Sequence, residues 1–229
     1  MKPIHLLRTL SVLAVCWAFS AQAAIVTGGT RFVFYSNADS LTVNLRNTSA
    51  APYLVQTKIS ADARTAPFVA TPPLFVLKGG RENILRIIYT GEPLPADRES
   101  LFWLTVAGIP STSTSTDPNL VEIALRQRMK LFWRPATLKG NADEAYKHLI
   151  WSHSGARVTV HNPTPWYVTL INLKSNGQAI DDPGMVAPFS SRTESWCPAQ
   201  GNCTLQWQTL NDYGSLLPVT SANVSGEPH

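Results

Sequence analysis

The chain has 229 residues, of which 44% are hydrophobic and 15% are charged, and its formal net charge is +4. Residues 1–23 contain two of the 19 Lys and Arg residues and none of the 15 acidic ones, so the remaining 206 residues carry a net charge of only +2. This weak basicity gives no support to nucleic-acid binding, and the length suits two domains of about 100 residues or one large domain.

The first segment has the features of a secretory signal peptide. Lys2 and Arg8 precede an uncharged, mostly apolar run at 10–19, and residues 21–23 (AQA) have the small-x-small pattern of a cleavage site. The run is short for a membrane-spanning helix, and no later segment approaches the required length. We therefore expect residues 1–23 to be cleaved and the remaining chain to be exported without inserting into a membrane.

The first half of the chain is rich in strand signals and poor in helix signals. Apolar and polar residues alternate with a period of two, which predicts strands at 31–35, 41–46, 53–59, 68–70, 74–77, 84–89 and 101–106, then a long strand within 119–135. Short strands in this number, separated by polar or Pro/Gly breaks, are typical of an immunoglobulin-like β-sandwich.

The composition changes after Pro135. Residues 136–145 are small and polar, as in a linker, and a second series of strands is predicted at 148–151, 157–161, 166–173, 192–196, 204–209 and 216–220. We therefore expect an all-β protein with two sandwiches in series. The predicted boundaries are 24–135 for the N-terminal domain, 136–143 for the linker and 144–229 for the C-terminal domain.

Two cysteines remain after the signal segment. Cys197 and Cys203 are close in sequence, and an exported chain permits them to form a disulfide across a hairpin or loop. Closing so small a loop contributes roughly 2 kcal/mol in the chain-entropy description. We interpret the pair as a local structural crosslink.

Catalysis and metal binding have little support. His148 and His153 are five residues apart, which places them on opposite faces of a strand and argues against a shared metal ion. None of the GxSxG, HExxH or phosphate-loop patterns occurs. We therefore expect no enzymatic activity, no metal and no cofactor.

The long strand predicted within 119–135 (NLVEIALRQRMKLFWRP) carries the most informative pattern. It begins with one apolar row, then becomes strongly basic, and it closes on aromatic residues and a proline. Such a strand could lend its apolar row to a partner while its cations bind an anion. The same apolar row would also suit an ordinary core strand. The apolar row consists of Val121, Ile123 and Leu125.

Six sequence blocks, in order along the chain, resemble the signature of the periplasmic pilus-assembly chaperones, the PapD-like family. The resemblance covers essentially the whole chain after residue 23. The blocks are TRFVFY at 30–35, ATPP at 70–73, LPADRESLFWLTVAGIP at 94–110, ALRQRMKLFWRP at 124–135, NPTPWYV at 162–168 and NDYG at 211–214.

The resemblance implies a fold and a function. The fold is two immunoglobulin-like domains set in an L with a cleft between them. Members of the family bind pilus or fimbrial subunits that lack a final strand, lend them a strand (donor-strand complementation) and deliver them to an outer-membrane usher. They work in the periplasm, perform no chemistry and use no cofactor. The short loop at 111–118 resembles that of the short-loop branch of the family.

The resemblance also implies roles for individual residues. The donated apolar row is Val121, Ile123 and Leu125, and the cations that bind the terminal carboxylate of the subunit are Arg31 and Lys130. An ion network between the domains, with a structural role, consists of Glu99, Arg134 and Asp212. The segments that face the usher contain Pro52, Thr71, Pro72 and Pro73.

One detail of the long strand needs a local irregularity. Lys130 has the opposite parity from Leu125, so a straight strand would point their side chains to opposite faces. We therefore expect a β-bulge or a strong twist between these two residues.

Two other hypotheses remain open at this point. The chain could be an exported adhesin or a structural pilus subunit made of two sandwiches, or it could be an exported metal-dependent enzyme, which the histidine spacing disfavours. An exposed apolar strand edge would also promote self-association of the chaperone when it holds no subunit.

Overall fold

The computed structural model describes residues 24–62, 65–110 and 123–225. The predicted signal segment 1–23, the loop 111–118 and Val121 lie outside these residues. The described residues of the first half form nine strands: β1 (Ile25–Thr27), β2 (Arg31–Tyr35), β3 (Leu41–Asn47), β4 (Tyr53–Ser60), β5 (Phe68–Thr71), β6 (Leu74–Leu77), β7 (Glu82–Tyr89), β8 (Ser100–Pro110) and β9 (Leu125–Arg134).

The second half, as far as residue 225, forms a short 3-10 helix and nine further strands. The helix is Ala142–His148, and the strands are β10 (Ile150–Ser154), β11 (Arg157–Asn162), β12 (Val168–Thr169), β13 (Ile171–Ser175), β14 (Gln178–Ala179), β15 (Met185–Val186), β16 (Ser190–Glu194), β17 (Asn202–Gln208) and β18 (Thr220–Ser225). The predicted all-β class is confirmed.

The first sandwich packs a four-stranded sheet, in the order β1-β3-β7-β5, against a five-stranded sheet, in the order β2-β9-β8-β4-β6. Alternating residues of both sheets point inward and form one apolar core. At its centre the ring of Phe68 lies 5.4 Å from that of Phe34 and 4.9 Å from that of Phe102, both edge to face. Such contacts add to the free energy gained from burying the rings.

The second sandwich has a separate core. Its sheets have the orders β10-β11-β16 and β14-β13-β17-β18, with the short pair β12-β15 beside them. Tyr146 of the 3-10 helix is buried in this core, and its carbonyl accepts a hydrogen bond from Trp207 Nε1 at 3.1 Å. The predicted disulfide between Cys197 and Cys203 is formed and closes the loop that leads into β17.

Two predicted strands of the second half are wrong in their extent. The strand predicted at 166–173 is divided into β12 and β13, and the pairing of β13 with β17 is irregular between Ile171 and Lys174, where Asn172 has a positive φ of 52°. The strand predicted at 216–220 starts later, as β18. Pro218 lies just before it and has no N–H to donate to a ladder, so proline delays the strand.

The predicted irregularity in β9 is wrong. β9 pairs with β8 in one continuous register, from Ser100 opposite Trp133 to Gly108 opposite Leu125, with no bulge. The two faces of a regular strand are both used instead. One face continues from Leu125 into the core of the first sandwich, and the other carries Lys130 toward the second sandwich.

Candidate functional site

A cleft of about 840 Å³ separates the basic face of β9 from the second sandwich. From the first sandwich it is lined by Arg31 and Lys130, among others, and from the second by Thr169 and the segment around Leu210. Beside Arg31, the ring of Phe132 lies 5.6 Å from that of Tyr167 of the second sandwich. The two sandwiches therefore meet directly behind the basic residues.

Arg31 and Lys130, predicted to act together, lie side by side. Strand β2 runs parallel to β9, and its first residue, Arg31, is the register partner of Lys130. Neighbouring strands in a sheet are about 4.8 Å apart, so the two cations lie next to each other on the wall of the cleft.

Each of these cations is held by a group of the second sandwich. Arg31 Nη1 donates to the Leu210 carbonyl at 2.9 Å, and its guanidinium carbon lies 4.8 Å from the centre of the Phe132 ring. Lys130 Nζ donates to Thr169 Oγ1 at 3.3 Å. Sequence reasoning missed Leu210 and Thr169. Every residue has a backbone carbonyl, so the sequence cannot indicate which one will accept a hydrogen bond. A threonine is also common in strands and gives no sign of a special role.

The charges of this pair are not neutralised within the described ranges. Neither Arg31 nor Lys130 forms an ion pair with a residue in 24–62, 65–110 or 123–225. Burial lowers the pKa of Lys130 below 10.5, and the neighbouring Arg31 lowers it further. Burial likewise lowers the pKa of Arg31, although Asp212 and Glu99 oppose this shift. An incoming anion would relieve this electrostatic stress and accept charge-assisted hydrogen bonds.

β9 presents an open edge next to the two cations. Because β2 begins to pair at Lys130, the stretch from Leu125 to Met129 has a ladder only with β8 in the described part of the chain. Leu125 is 43% exposed, and Ile123, just before the strand, is 66% exposed. These two members of the predicted apolar row are not enclosed by their own sandwich. Val121, the third member, lies outside the described residues.

Glu99, Arg134 and Asp212 are in direct contact. Arg134 Nε donates to Glu99 Oε1 at 2.6 Å, and its Nη1 and Nη2 donate to the two carboxylate oxygens of Asp212 at 2.6 and 2.8 Å. Glu99 also accepts from the Tyr167 N–H at 2.8 Å. Burial raises the pKa of Glu99, while Arg134 acts to lower it. The Arg134 guanidinium thus connects one carboxylate from each sandwich, and Glu99 adds a second link through the Tyr167 N–H.

The four residues predicted to face the usher lie near the two ends of β6 in the first sandwich. Pro52 precedes β4, Thr71 is the last residue of β5, and Pro72 and Pro73 connect β5 to β6. The Thr57 N–H donates to the Pro73 carbonyl at 2.8 Å, so β4 holds this turn in place.

An apolar row that the sequence did not reveal runs across the sheet beside this turn. Leu54 of β4 has Val76 of β6 as its register partner on one side and Ile109 of β8 on the other, and all three side chains are exposed. Leu74 is exposed two residues before Val76 on the same strand. Alternation in the sequence marks these residues as apolar, but it cannot show that their side chains point outward. We call Leu54, Leu74, Val76 and Ile109 the apolar row of β4, β6 and β8.

No helix among the described residues is long and apolar enough to cross a membrane. No group of three or more His, Cys, Asp or Glu residues among them is arranged to hold a metal ion.

Two protein-family models match the chain. Residues 24–139 match "Pili and flagellar-assembly chaperone, PapD N-terminal domain", and residues 144–221 match "Pili assembly chaperone PapD, C-terminal domain". The uncharacterized fimbrial chaperone YcbF of Escherichia coli is 40% identical over 95% of this chain and 96% of its own length. The chaperone protein FimC of Escherichia coli is 35% identical over 91% of this chain and 88% of its own length.

A solved structure has the same architecture. A chain of the complex between the Salmonella enterica SafA pilin and the SafB chaperone is similar with a TM-score of 0.80 and 28% identity, covering 89% of this chain and 98% of that chain. Together with the two family matches, this similarity confirms the predicted pair of immunoglobulin-like sandwiches.

The contacts of Arg134 lead to a prediction for Asp212→Ala. Removing this carboxylate leaves Arg134 with Glu99 alone, so the second sandwich loses a bidentate hold on the first. Losing charged hydrogen bonds of this kind is expected to cost about 1–3 kcal/mol of unfolding free energy. The angle between the sandwiches should also change, which residual dipolar couplings or small-angle scattering would detect.

The matched control is Glu144→Ala, which breaks an exposed ion pair with Lys147. Exposed pairs of this kind contribute little to stability, so this variant should keep both the stability and the domain orientation. An unchanged domain orientation in Asp212→Ala would rule out the network as the element that sets the angle.

Proposed function

Because the chain belongs to the family of pili assembly chaperones, we propose that it holds a pilus or fimbrial subunit in the periplasm by lending it the exposed part of β9. The observation that carries this proposal is an open strand edge that ends at Arg31 and Lys130, two cations without an ion pair among the described residues. The family consists of assembly chaperones, which are not enzymes and act in the periplasm. We infer that residues 1–23 are the signal removed on export.

Family membership decides between the functions considered from the sequence. An exported metal-dependent enzyme is excluded, because the family is not enzymatic. An adhesin or structural subunit has no support, since the relatives that match over most of their length are fimbrial chaperones. The SafA–SafB complex, which pairs a pilin with a chaperone, supports a subunit as the partner class.

The direction of the bound subunit strand follows from the position of β2. A subunit strand that fills the open edge from Leu125 to Met129 lies in line with β2, just before Arg31. When its terminal carboxylate reaches Arg31 and Lys130, its C-terminus points the same way as that of β9. The added strand is therefore parallel to β9, and main-chain hydrogen bonds hold it there.

The apolar row supplies most of the binding free energy in this proposal. Fully burying Val121, Ile123 and Leu125 in an incomplete subunit contributes on the order of 5–8 kcal/mol before the costs of ordering. This contribution depends on register, because a slip of one residue turns every side chain to the opposite face. Arg31 and Lys130 anchor the carboxylate and so select the correct register.

Two further partners follow from exposed apolar surfaces. The apolar row of β4, β6 and β8 lies next to Pro52 and to the turn at 71–73, and we assign this combined surface to contact with the outer-membrane usher. It lies away from the open edge of β9, so both partners can bind at once. Without a subunit, the open edge exposes Ile123 and Leu125, which favours self-association of the free chaperone.

Co-expression with a fimbrial subunit that lacks its final strand tests the function. A soluble one-to-one complex is expected, and Lys130→Ala should lose the subunit because one carboxylate ligand is gone. Ile123→Asp should also lose it, since a carboxylate cannot enter an apolar groove. Size-exclusion chromatography with light scattering measures both the complex and any self-association of the free protein.

Two matched variants control for charge and surface effects. Lys78→Ala removes an exposed lysine that does not line the cleft, and Ile84→Asp places a carboxylate on the outer face of the other sheet of the same sandwich. Both should retain the subunit. A subunit that is equally soluble without the chaperone would contradict the proposal.

The carboxylate anchor makes subunit binding dependent on pH. The lowered pKa of Lys130 means that its ammonium loses a proton below pH 10.5, and the attraction for a carboxylate is lost as pH rises through that pKa. Subunit affinity should therefore begin to fall at a pH below 10.5, whereas Lys130→Arg should hold its affinity to higher pH because arginine stays protonated. Fluorescence titration at several pH values checks this, and identical profiles for both proteins would argue against the anchor.

The usher surface is tested by Leu54→Asp. This variant should keep its subunit but bind a detergent-solubilised usher about tenfold or more weakly, since a charge at the centre of a buried apolar patch removes more than about 1.4 kcal/mol of binding free energy. Surface plasmon resonance with the preformed complex measures the affinity. Ile84→Asp serves as the control, and equal usher binding by both variants would exclude this surface.

A further inference from the structure

One polar side chain interrupts the inward face of β9 at the point where the strand leaves its own sandwich. Gln127 lies between Leu125, which is exposed, and Met129, which is buried. Its Nε2 donates to the Ile25 carbonyl at 2.6 Å, and its Oε1 lies 3.3 Å from Thr27 Oγ1, which can donate to it. Both partners belong to β1, an edge strand of the opposite sheet. The glutamine therefore connects the two sheets across the open side of the sandwich.

The neighbouring contacts place β1 against the same region of the ladder. Ile25 is buried, and a Cβ added at Gly108 would lie only 2.7 Å from its Cγ1. Gly108 is the register partner of Leu125. The lack of a side chain at this glycine thus allows β1 to approach the last described pair of the β8–β9 ladder.

The hydrogen bonds of the Gln127 side chain leave the backbone edge of β9 free, which pairing with another strand would not. A strand paired with β9 from Leu125 to Met129 would use the backbone N–H and C=O groups of that edge, which a subunit strand needs. The Gln127 side chain holds β9 to β1 without occupying any of these groups. The segment is restrained on its open side, and its edge stays available.

We infer that Gln127 is a positioning residue, which holds the lent part of β9 in the orientation that a subunit binds. This inference rests on the proposed function. The bonds to β1 reduce the freedom of Ile123 and Leu125 before binding, so less conformational entropy is lost when the subunit docks. Gln127 also separates two sets of apolar residues on this face of β9. Those before it enter the core of the subunit in this proposal, and those after it belong to the core of the chaperone.

The test uses Gln127→Met, which keeps the length and the apolar stem of the side chain and removes its hydrogen-bonding groups. Hydrogen exchange of the free protein, followed in the peptide covering residues 123–129, should accelerate. In the complex, the subunit should dissociate about fivefold faster, the factor that corresponds to a net hydrogen bond of about 1 kcal/mol. Dissociation is measured by mixing the complex with an excess of fluorescently labelled chaperone.

The control is Gln178→Met, which is the same substitution at an exposed site in the second sandwich. It should match the wild-type protein in both measurements. Thermal unfolding of both variants separates a local effect from general destabilisation, and a selective effect requires that their midpoints agree. Unchanged exchange at 123–129 and unchanged dissociation in Gln127→Met would overturn the inference, whereas a wild-type chain that forms no complex would instead overturn the proposed function.

Discussion

The structure depends on an offset between two neighbouring strands. β2 is five residues long and pairs with the C-terminal half of β9 only, starting at Lys130. The N-terminal half of β9 is therefore left with one partner, β8, among the described residues. A strand edge in this state has unused hydrogen-bonding groups and exposed apolar side chains, and both favour pairing with another chain. The strand offset is thus the structural origin of the binding surface.

The same offset places the cations at the end of the open edge. Since Arg31 begins β2, it lies where an added strand in line with β2 must stop, and the register puts Lys130 next to it. The second sandwich completes the arrangement through one short segment. The Leu210 carbonyl accepts a hydrogen bond from Arg31. Asp212, two residues after Leu210, accepts a hydrogen bond from Arg134. The orientation of Arg31 and the ionic contact between the sandwiches therefore depend on the same loop.

Some features of the site could be predicted from the sequence, and others could not. Period-two alternation identified most strands of the first sandwich, and the order of the motif blocks indicated the family. Parity was interpreted incorrectly in one case. The opposite parity of Lys130 and Leu125 led to the prediction of a bulge or a strong twist, whereas a regular strand uses both faces for different partners. The outward direction of Leu54, Val76 and Ile109 was also missed, because an apolar residue in an alternating pattern is assigned to the core by default.

The sequence by itself determined the all-β class, the two-domain organisation of the family and the identity of the basic and apolar residues in β9. These properties depend on residue type and short-range spacing, which can be read along the chain. Only the tertiary structure decided that Arg31 lies beside Lys130, that Arg134 joins Glu99 to Asp212 and that Gln127 reaches β1. Each of these contacts joins residues far apart in sequence, and strand register and sandwich packing, which no local pattern encodes, bring them together.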